Sequence, residues 1–324
     1  MPPARDPGYS PRFRPAWLGP RHWPLWLGLG LLALTSLLPR RLRWQLAGLA
    51  AGWLWRRNPK RRHILHTNLE LAFPDWDAGR REATIRRGLR IMAQCSLDYA
   101  LFWWAPGPWL RRRIRVEGWE HVAAARERGQ PLILFTGHTM ALEAAGVAIT
   151  QSIPATGLIR HMEDPIIDWL IARGRTRFQG KVYHREAGMR PILRDLKAGT
   201  AFYYLPDEDL GRRDGIEFVF APFFATPKAT LTSLGRLVRA SGAAAIPCMA
   251  YYDTERHDYR VRFEPPLADF PSGDEAADAR RMNEALEALI AVDPAQYMWT
   301  QRLYRTRPPG APKRYKMKRP KQET

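Results

Sequence analysis

The sequence predicts an α/β fold with a mostly parallel central sheet flanked by helices, preceded by an N-terminal membrane-anchor helix. Three observations carry this reading. From Arg115 onward, apolar runs of strand length alternate with stretches of helical periodicity. Near the start, Trp23 to Leu38 forms a 16-residue run without charge. The net charge of +19 is gathered at the two ends of the chain.

The charge distribution sets the organisation. Residues 1–62 carry 12 basic residues against one acid, residues 302–324 carry 9 against one, and residues 63–301 balance at 30 against 30. A nucleic-acid binder of this size would carry a basic stripe on its folded body. Basic arms beside an apolar segment point instead to anionic lipid. Residues 1–22 read as a basic arm and 23–62 as a membrane anchor followed by an interfacial helix. Residues 63–304 form the main domain, and 305–324 a basic, disordered tail.

The run from Trp23 to Leu38 would reach about 24 Å as a helix, short of the roughly 30 Å hydrocarbon core, so it would span only with help from its flanks or a thinned bilayer. It has no small-residue cleavage site before the next basic cluster and reads as a retained anchor. Leu42 to Trp55, bounded by arginines and rich in tryptophan, resembles an amphipathic helix lying in the interface. Four arginines precede the anchor and eight basic residues follow it by Arg62, which favours a cytoplasmic body. A buried helical hairpin over residues 23–55 is the competing reading.

Within the main domain, residues 79–104 have helical periodicity ended by Pro106 and Pro108. Strand candidates follow at 131–136, 201–205, 243–252 and 259–263. Helical candidates lie near 140–150, 164–173, 188–198, 228–241 and 276–291. With 324 residues and 45% apolar content the chain can bury a core, which excludes disordered classes. Only Cys95 and Cys248 occur, far from any His at ligand spacing, so neither a disulfide framework nor a zinc site is expected.

Chemistry-bearing residues gather where strand candidates end. After Leu132 to Phe135 come Thr136, Gly137 and His138, and a helix opens with Glu143 in its first turns. Five positions on one regular helix separate side chains by about 140°, so His138 and Glu143 can meet only if the histidine lies just before the helix. A carboxylate there would hold one imidazole nitrogen and free the other as a general base. A capping His and a surface Glu explain these two residues equally well. A second acidic cluster, Asp207, Glu208 and Asp209, follows the run Ala201 to Leu205. Clustered carboxylates can hold magnesium. Asp207 or Asp209 capping a helix or pairing with an arginine such as Arg212 is the stronger local reading. His138 and Asp207 both follow strands, at the carboxyl ends where open α/β sheets bind ligands. The aromatic run Phe218 to Phe224 and the region Leu97 to Trp104 are either plain core or the lining of an apolar slot.

Taken together, several segments resemble the late acyltransferases of lipid A biosynthesis, the lauroyl and myristoyl transferases of the wider glycerolipid acyltransferase superfamily. They are NLELAFP (Asn68 to Pro74), GHTMALE (Gly137 to Glu143), HREAGM (His184 to Met189), YLPDEDLG (Tyr204 to Gly211), APFFATPKAT (Ala221 to Thr230), SGAAAIP (Ser241 to Pro247) and QYMWTQRLYRTRP (Gln296 to Pro308). Their order and joint presence, over roughly residues 25–310, make the resemblance specific. Gly137 stands where many members have Asn, and Glu143 where many have Asp.

The resemblance implies that His138 is the catalytic base with Glu143 as its acidic partner. It further implies that Arg185 binds a phosphorylated acceptor and that Asp207 and Asp209 shape the acceptor site. The implied reaction moves a fatty acyl group from an acyl carrier protein thioester to a hydroxyl of a hydroxyacyl chain on a lipid A precursor, at the cytoplasmic side of the cell inner membrane. It needs no cofactor, no metal and no covalent acyl-enzyme. Two other functions stay open on sequence: transfer to another glycolipid or aminolipid, and non-enzymatic lipid binding through the basic ends.

Overall fold

The computed structural model describes residues 8–212 and 215–315. The N-terminal part is helical. Helix α1 spans Trp23–Thr35, α2 Arg40–Arg57, α3 Pro59–Ala72, α4 Ala78–Leu97, α5 Tyr99–Trp104 and α6 Gly107–Arg111. Strand β1 (Ile114–Glu117) and helix α7 (Trp119–Glu127) follow. The alternating body then runs β2 (Leu132–Phe135), α8 (Leu142–Ser152), β3 (Ala155–Ile159), α9 (Pro165–Arg175), β4 (Gly180–His184), α10 (Arg190–Lys197) and β5 (Ala201–Tyr204). A hairpin of β6 (Phe218–Phe223) and β7 (Thr226–Leu231) leads to α11 (Ser233–Ser241), β8 (Ala244–Asp253), β9 (Asp258–Phe263) and α12 (Glu275–Val292).

Seven strands form one sheet in the order β1-β9-β8-β2-β5-β3-β4, and β6 and β7 form a separate pair. Among the described residues, only the β8–β9 pairing is antiparallel in the large sheet. The predicted α/β class with a mostly parallel sheet is thus observed. Successive residues of β2 face opposite sides, as strand geometry requires. Ile133 and Phe135 join a core beneath α10, α11 and α12, while Leu132 and Leu134 join the one beneath α7 and α8. Strands β1, β3 and β4 were not anticipated, because their sequences (IRVE, ATGLI, GKVYH) interrupt the apolar runs with charge, Thr or Gly.

The anchor expectation is corrected. Helix α1 holds 13 residues, about 20 Å of helix, and among the described residues no helix is long and apolar enough to cross a membrane. The hydroxyls of Thr35 and Ser36 donate back to the carbonyls of Leu32 and Ala33, and Pro39 then cannot continue the helix. Its outer stripe of Trp23, Leu27, Leu31 and Leu34 remains exposed.

Helix α2 packs on α4 through Arg43, Ala47 and Ala51, four residues apart and buried, where the small alanines permit close approach. Arg43 Nη1 lies 2.6 Å from Asp98 Oδ1, and Tyr259 donates to Asp98 Oδ2 at 2.7 Å. That inward-turned aspartate marks the joint where the helix predicted over 79–104 divides into α4 and α5. The opposite face of α2 leaves Leu49 and Trp53 exposed.

The helix expected from residue 228 is corrected to a strand. Phe224, at φ 53°, and Ala225 turn the chain, and Thr226 to Leu231 pair with β6 so that Lys228 and Thr230 face inward. Helix α11 begins only at Ser233. Part of the segment expected as a disordered tail is held by side-chain bonds. Thr306 donates to Asp209 from both its backbone N (2.5 Å) and its hydroxyl (2.7 Å), and the Tyr315 hydroxyl donates to Asn68 Oδ1 at 2.5 Å. Residues 316–324, and residues 1–7 of the N-terminal arm, lie outside the described residues.

Candidate active site

The site forms beyond the carboxyl ends of β2 and β5, the two central strands. Their parallel register aligns Phe135 with Tyr204, and the Thr136 amide still donates to the Tyr204 carbonyl at 2.9 Å. Continuing that register three residues further sets His138 beside Asp207. There the chain no longer forms strand, and side chains replace the ladder. Asp207 Oδ2 accepts the backbone N–H of His138 at 2.7 Å, and Asp207 Oδ1 lies 2.6 Å from His138 Nδ1. Tyr297 donates its hydroxyl to Asp207 Oδ2 at 2.7 Å.

The C-terminal segment closes the back of this loop. Met140 N donates to the Gln296 carbonyl at 2.9 Å, Met298 N to the His138 carbonyl at 2.7 Å, and Thr139 Oγ1 to the Ala250 carbonyl at 2.7 Å. Gly137 is required by this close packing, because a Cβ there would sit 2.8 Å from the Tyr297 ring and 3.3 Å from Asp207 Oδ2. His138 is therefore fixed on both backbone and ring, four residues ahead of α8.

The electrostatics follow from burial and neighbours. Burial opposes ionisation of Asp207, yet the His138 imidazolium and the three donated hydrogen bonds hold its carboxyl down at about 2. Burial also opposes charging of His138, but the carboxylates of Asp207 and Glu208 outweigh it and raise the imidazole above its ordinary value. Burial together with Asp207 keeps the Tyr297 phenol protonated, so it remains a donor. With Nδ1 donating to Asp207, the neutral ring presents the lone pair of Nε2 outward.

On that outward side lies an elongated cavity of about 430 Å³. Its walls come mainly from α8, β3 and α9, with Leu142, Gly146, Val147, Leu158, Ile159 and Ile171 among its apolar lining. Phe102 and Trp103 line it too, so one of the two aromatic regions marked from sequence reaches the cavity. The run Phe218 to Phe224 does not, and Phe223 is buried core. Ionisable residues line it as well: Glu143, Arg160, Arg175, Lys181, Arg185 and Glu208.

The predicted site residues divide between two neighbouring arrangements. His138 stands at the cavity with 13% of its side chain exposed. Glu143 lies in the first turn of α8 as anticipated, but among the described residues no hydrogen bond or ion pair joins it to His138. Its Oε1 accepts Arg175 Nε at 3.0 Å and Nη2 at 2.5 Å, a guanidinium brought in by the last turn of α9. The expected His138–Glu143 contact is thus corrected to two separate pairs, His138–Asp207 and Glu143–Arg175. The helix carries Glu143 outward into the cavity wall, while register delivers Asp207 directly to the ring.

Arg185 pairs with Glu208 through Nη1 and Oε2 at 2.5 Å, and Glu208 Oε1 stands 3.6 Å from His138 Nε2. Among the described residues Asp207 neither caps a helix nor meets an arginine. Asp209 accepts from Gly211 N at 3.0 Å and from Thr306, and so pins the C-terminal segment beside the site. Arg212 lies over the Phe218 ring instead of pairing with either acid. Arg175 and Tyr297 were missed from sequence. Tyr297 gave no local signal, because its partner is 90 residues away.

The family profile of bacterial lipid A biosynthesis acyltransferases matches residues 10–306. The chain is 34% identical over 304 residues to a lipid A biosynthesis acyltransferase of Haemophilus influenzae, covering 94% of both chains. It is 33% identical to the lipid A biosynthesis lauroyltransferase of Escherichia coli (94% of this chain, 99% of the relative). It is 30% identical to the lipid A biosynthesis myristoyltransferase of the same organism (96% and 95%). On a profile match over nearly its whole length and relatives aligned end to end, the chain belongs to the bacterial lipid A biosynthesis acyltransferases and is an acyltransferase.

Proposed function

We propose that this protein transfers a fatty acyl group from an acyl carrier protein thioester to a hydroxyl of a hydroxyacyl chain on a lipid A precursor, with His138 as general base. The observation that carries the reading is a histidine fixed by Asp207 with its free nitrogen at the mouth of an apolar cavity of about 430 Å³. His138 Nε2 takes the proton of the acceptor hydroxyl as its oxygen attacks the thioester carbonyl. When the tetrahedral intermediate collapses, the carbon–sulfur bond breaks and the imidazolium returns the proton to the departing sulfur. Asp207 orients the ring and offsets its positive charge.

Glu143 acts through Arg175. It holds the guanidinium in the cavity wall. Glu208 Oε1 stands 3.6 Å from His138 Nε2 while its other oxygen pairs with Arg185. An acceptor phosphate binding Arg185 would compete for that guanidinium. The cavity takes the acyl chain, since its lining beyond the charged mouth is mainly apolar.

Attachment to the cytoplasmic face of the inner membrane is proposed as monotopic. Apolar side chains stay exposed along α1, at Leu37 and on α2 at Leu49 and Trp53, and Arg56, Arg57, Arg61 and Arg62 follow in the chain, a composition suited to an anionic interface. The test of function is direct. Purified protein given an acylated carrier protein and a lipid A precursor should add one acyl mass to the precursor, and the His138→Ala variant should not. A His138→Ala variant with near-normal turnover overturns the assignment.

A further inference from the structure

Outside the acyl-transfer machinery, His161, Asp168 and His184 bring one donor atom each to within 4.8 Å of one another. They come from three places that the fold draws together: the loop after β3, the first turn of α9 and the last residue of β4. We propose that these residues form a binding site for one divalent transition ion of the zinc class. The donor set of two imidazoles and one carboxylate suits such an ion, with water completing the shell.

Two features beyond proximity support the site. The first is His184. Both of its ring nitrogens are buried, and neither has a hydrogen-bond partner among the described residues. Its ring is wedged between Tyr9, with centroids 3.9 Å apart, and His161, at 4.5 Å. An imidazole enclosed in this way with no polar partner is unfavourable, and a ligand on one nitrogen removes that penalty. The second is the support behind the carboxylate. Asp168 is 2% exposed, and its Oδ2 accepts the Tyr9 hydroxyl. Its Oδ1 accepts the Met162 backbone N–H at 2.9 Å and lies 3.2 Å from His161 Nδ1. Metal-ligating carboxylates are commonly steadied by such outer hydrogen bonds.

Ligand atoms around tetrahedral zinc stand about 3.3–3.5 Å apart, so donors up to 4.8 Å apart must close by as much as about 1.5 Å. His161 can supply that movement, because 68% of its side chain is exposed. On binding, the ion displaces the hydrogen bond between His161 and Asp168 and releases any proton the imidazoles hold. This goes beyond the acyl-transfer reading and does not depend on it. Arg160, Met162 and Arg185, each next to a ligand in the chain, line the cavity. The ion would therefore tie the two sides of the cavity mouth together. Sequence spacing gave no hint of it, because no two of these residues fall at a recognised zinc interval.

The experiment uses the full chain without a histidine tag, stripped with chelator and dialysed against Zn2+, with metal content measured by elemental analysis. Co2+ is the spectroscopic probe. Wild-type protein should retain one equivalent of Zn2+ and give the visible bands of low-symmetry Co2+. His161→Ala, at an exposed position that leaves the fold intact, and His184→Ala should each weaken binding at least tenfold. Zn2+ should raise the thermal midpoint of wild type and not of the variants. Absence of stoichiometric binding, or binding unchanged in His161→Ala, overturns the proposal.

Discussion

Replacing Asp207 with asparagine tests the central pair more sharply than removing the histidine, because the shape of the site is kept while its proton arrangement is not. Two hydrogen atoms converge on Asp207 Oδ2, from His138 N and the Tyr297 hydroxyl, both at 2.7 Å. The backbone N–H cannot reverse its role, so the amide oxygen of the substituted side chain must take that place. The amide nitrogen then faces His138 Nδ1 at the 2.6 Å contact and donates to it. The imidazole proton moves to Nε2, and the nitrogen meant to accept the acceptor's proton already carries one. A positioned general base contributes about 10²–10⁴-fold. Wrong tautomer and lost charge compensation together place the loss near the top of that range, about 10³–10⁴-fold in kcat, or about 4–5.5 kcal/mol of barrier. The assay is mass-spectrometric detection of acylated product under single-turnover conditions, with thermal unfolding run alongside. Asp207→Asn protein that folds normally and keeps more than a tenth of the wild-type rate would refute the reasoning.

Five further outcomes follow from the structure. Because the carboxylates raise His138 above its ordinary 6.5, the imidazolium persists to higher pH, so activity should rise with pH along an acid limb lying above 6.5, and a limb at or below 6.5 contradicts the arrangement. The same shift makes the imidazolium's contribution to stability complete below 6.5 and lost as pH rises through the elevated folded value, while the depressed Asp207 carboxyl loses its share as pH falls toward about 2, which unfolding curves across pH will register. Gly137→Ala should cost about 1–3 kcal/mol in chemical denaturation and about 10²-fold in rate, because the new methyl pushes Tyr297 from Asp207. Gly146 lines the cavity with open space where a side chain would grow, so Gly146→Met should shift selectivity toward shorter acyl donors, read by competing donors of different length. Unchanged chain preference would place the acyl slot elsewhere. Arg43→Ala should destabilise the fold by about 3–5 kcal/mol in urea unfolding, since it strands Asp98, already pushed up by burial, without its cation. A change smaller than about 1 kcal/mol would mean α2 is not integral to the body.

The alternation of apolar runs made the sheet class legible, and the strand ends located His138 and Asp207. What stayed hidden was pairing. The resemblance made Glu143 the expected partner of His138, but an α8 starting at Leu142 carries that carboxylate away from the ring. The true partner is set by the β2–β5 register, a relation between residues 69 apart that periodicity does not encode. The hairpin was lost for a related reason. Lys228 and Ala229 read as a helix opening, because the force that straightens them is pairing with Ala221 and Phe220. The apolar run at 23–38 suggested a longer helix than forms, since the hydroxyls at Thr35 and Ser36 and the following Pro39 end it early.

The last elements of the chain complete its first functional loop. Gln296 to Met298 clamp the His138 turn, Tyr297 completes the shell of Asp207, and Thr306 locks onto Asp209. During synthesis these contacts form only once residues 296–306 have emerged from the ribosome, long after the His138 turn itself. A chain cut short before Gln296 would therefore carry the histidine and its aspartate without the clamp that fixes them.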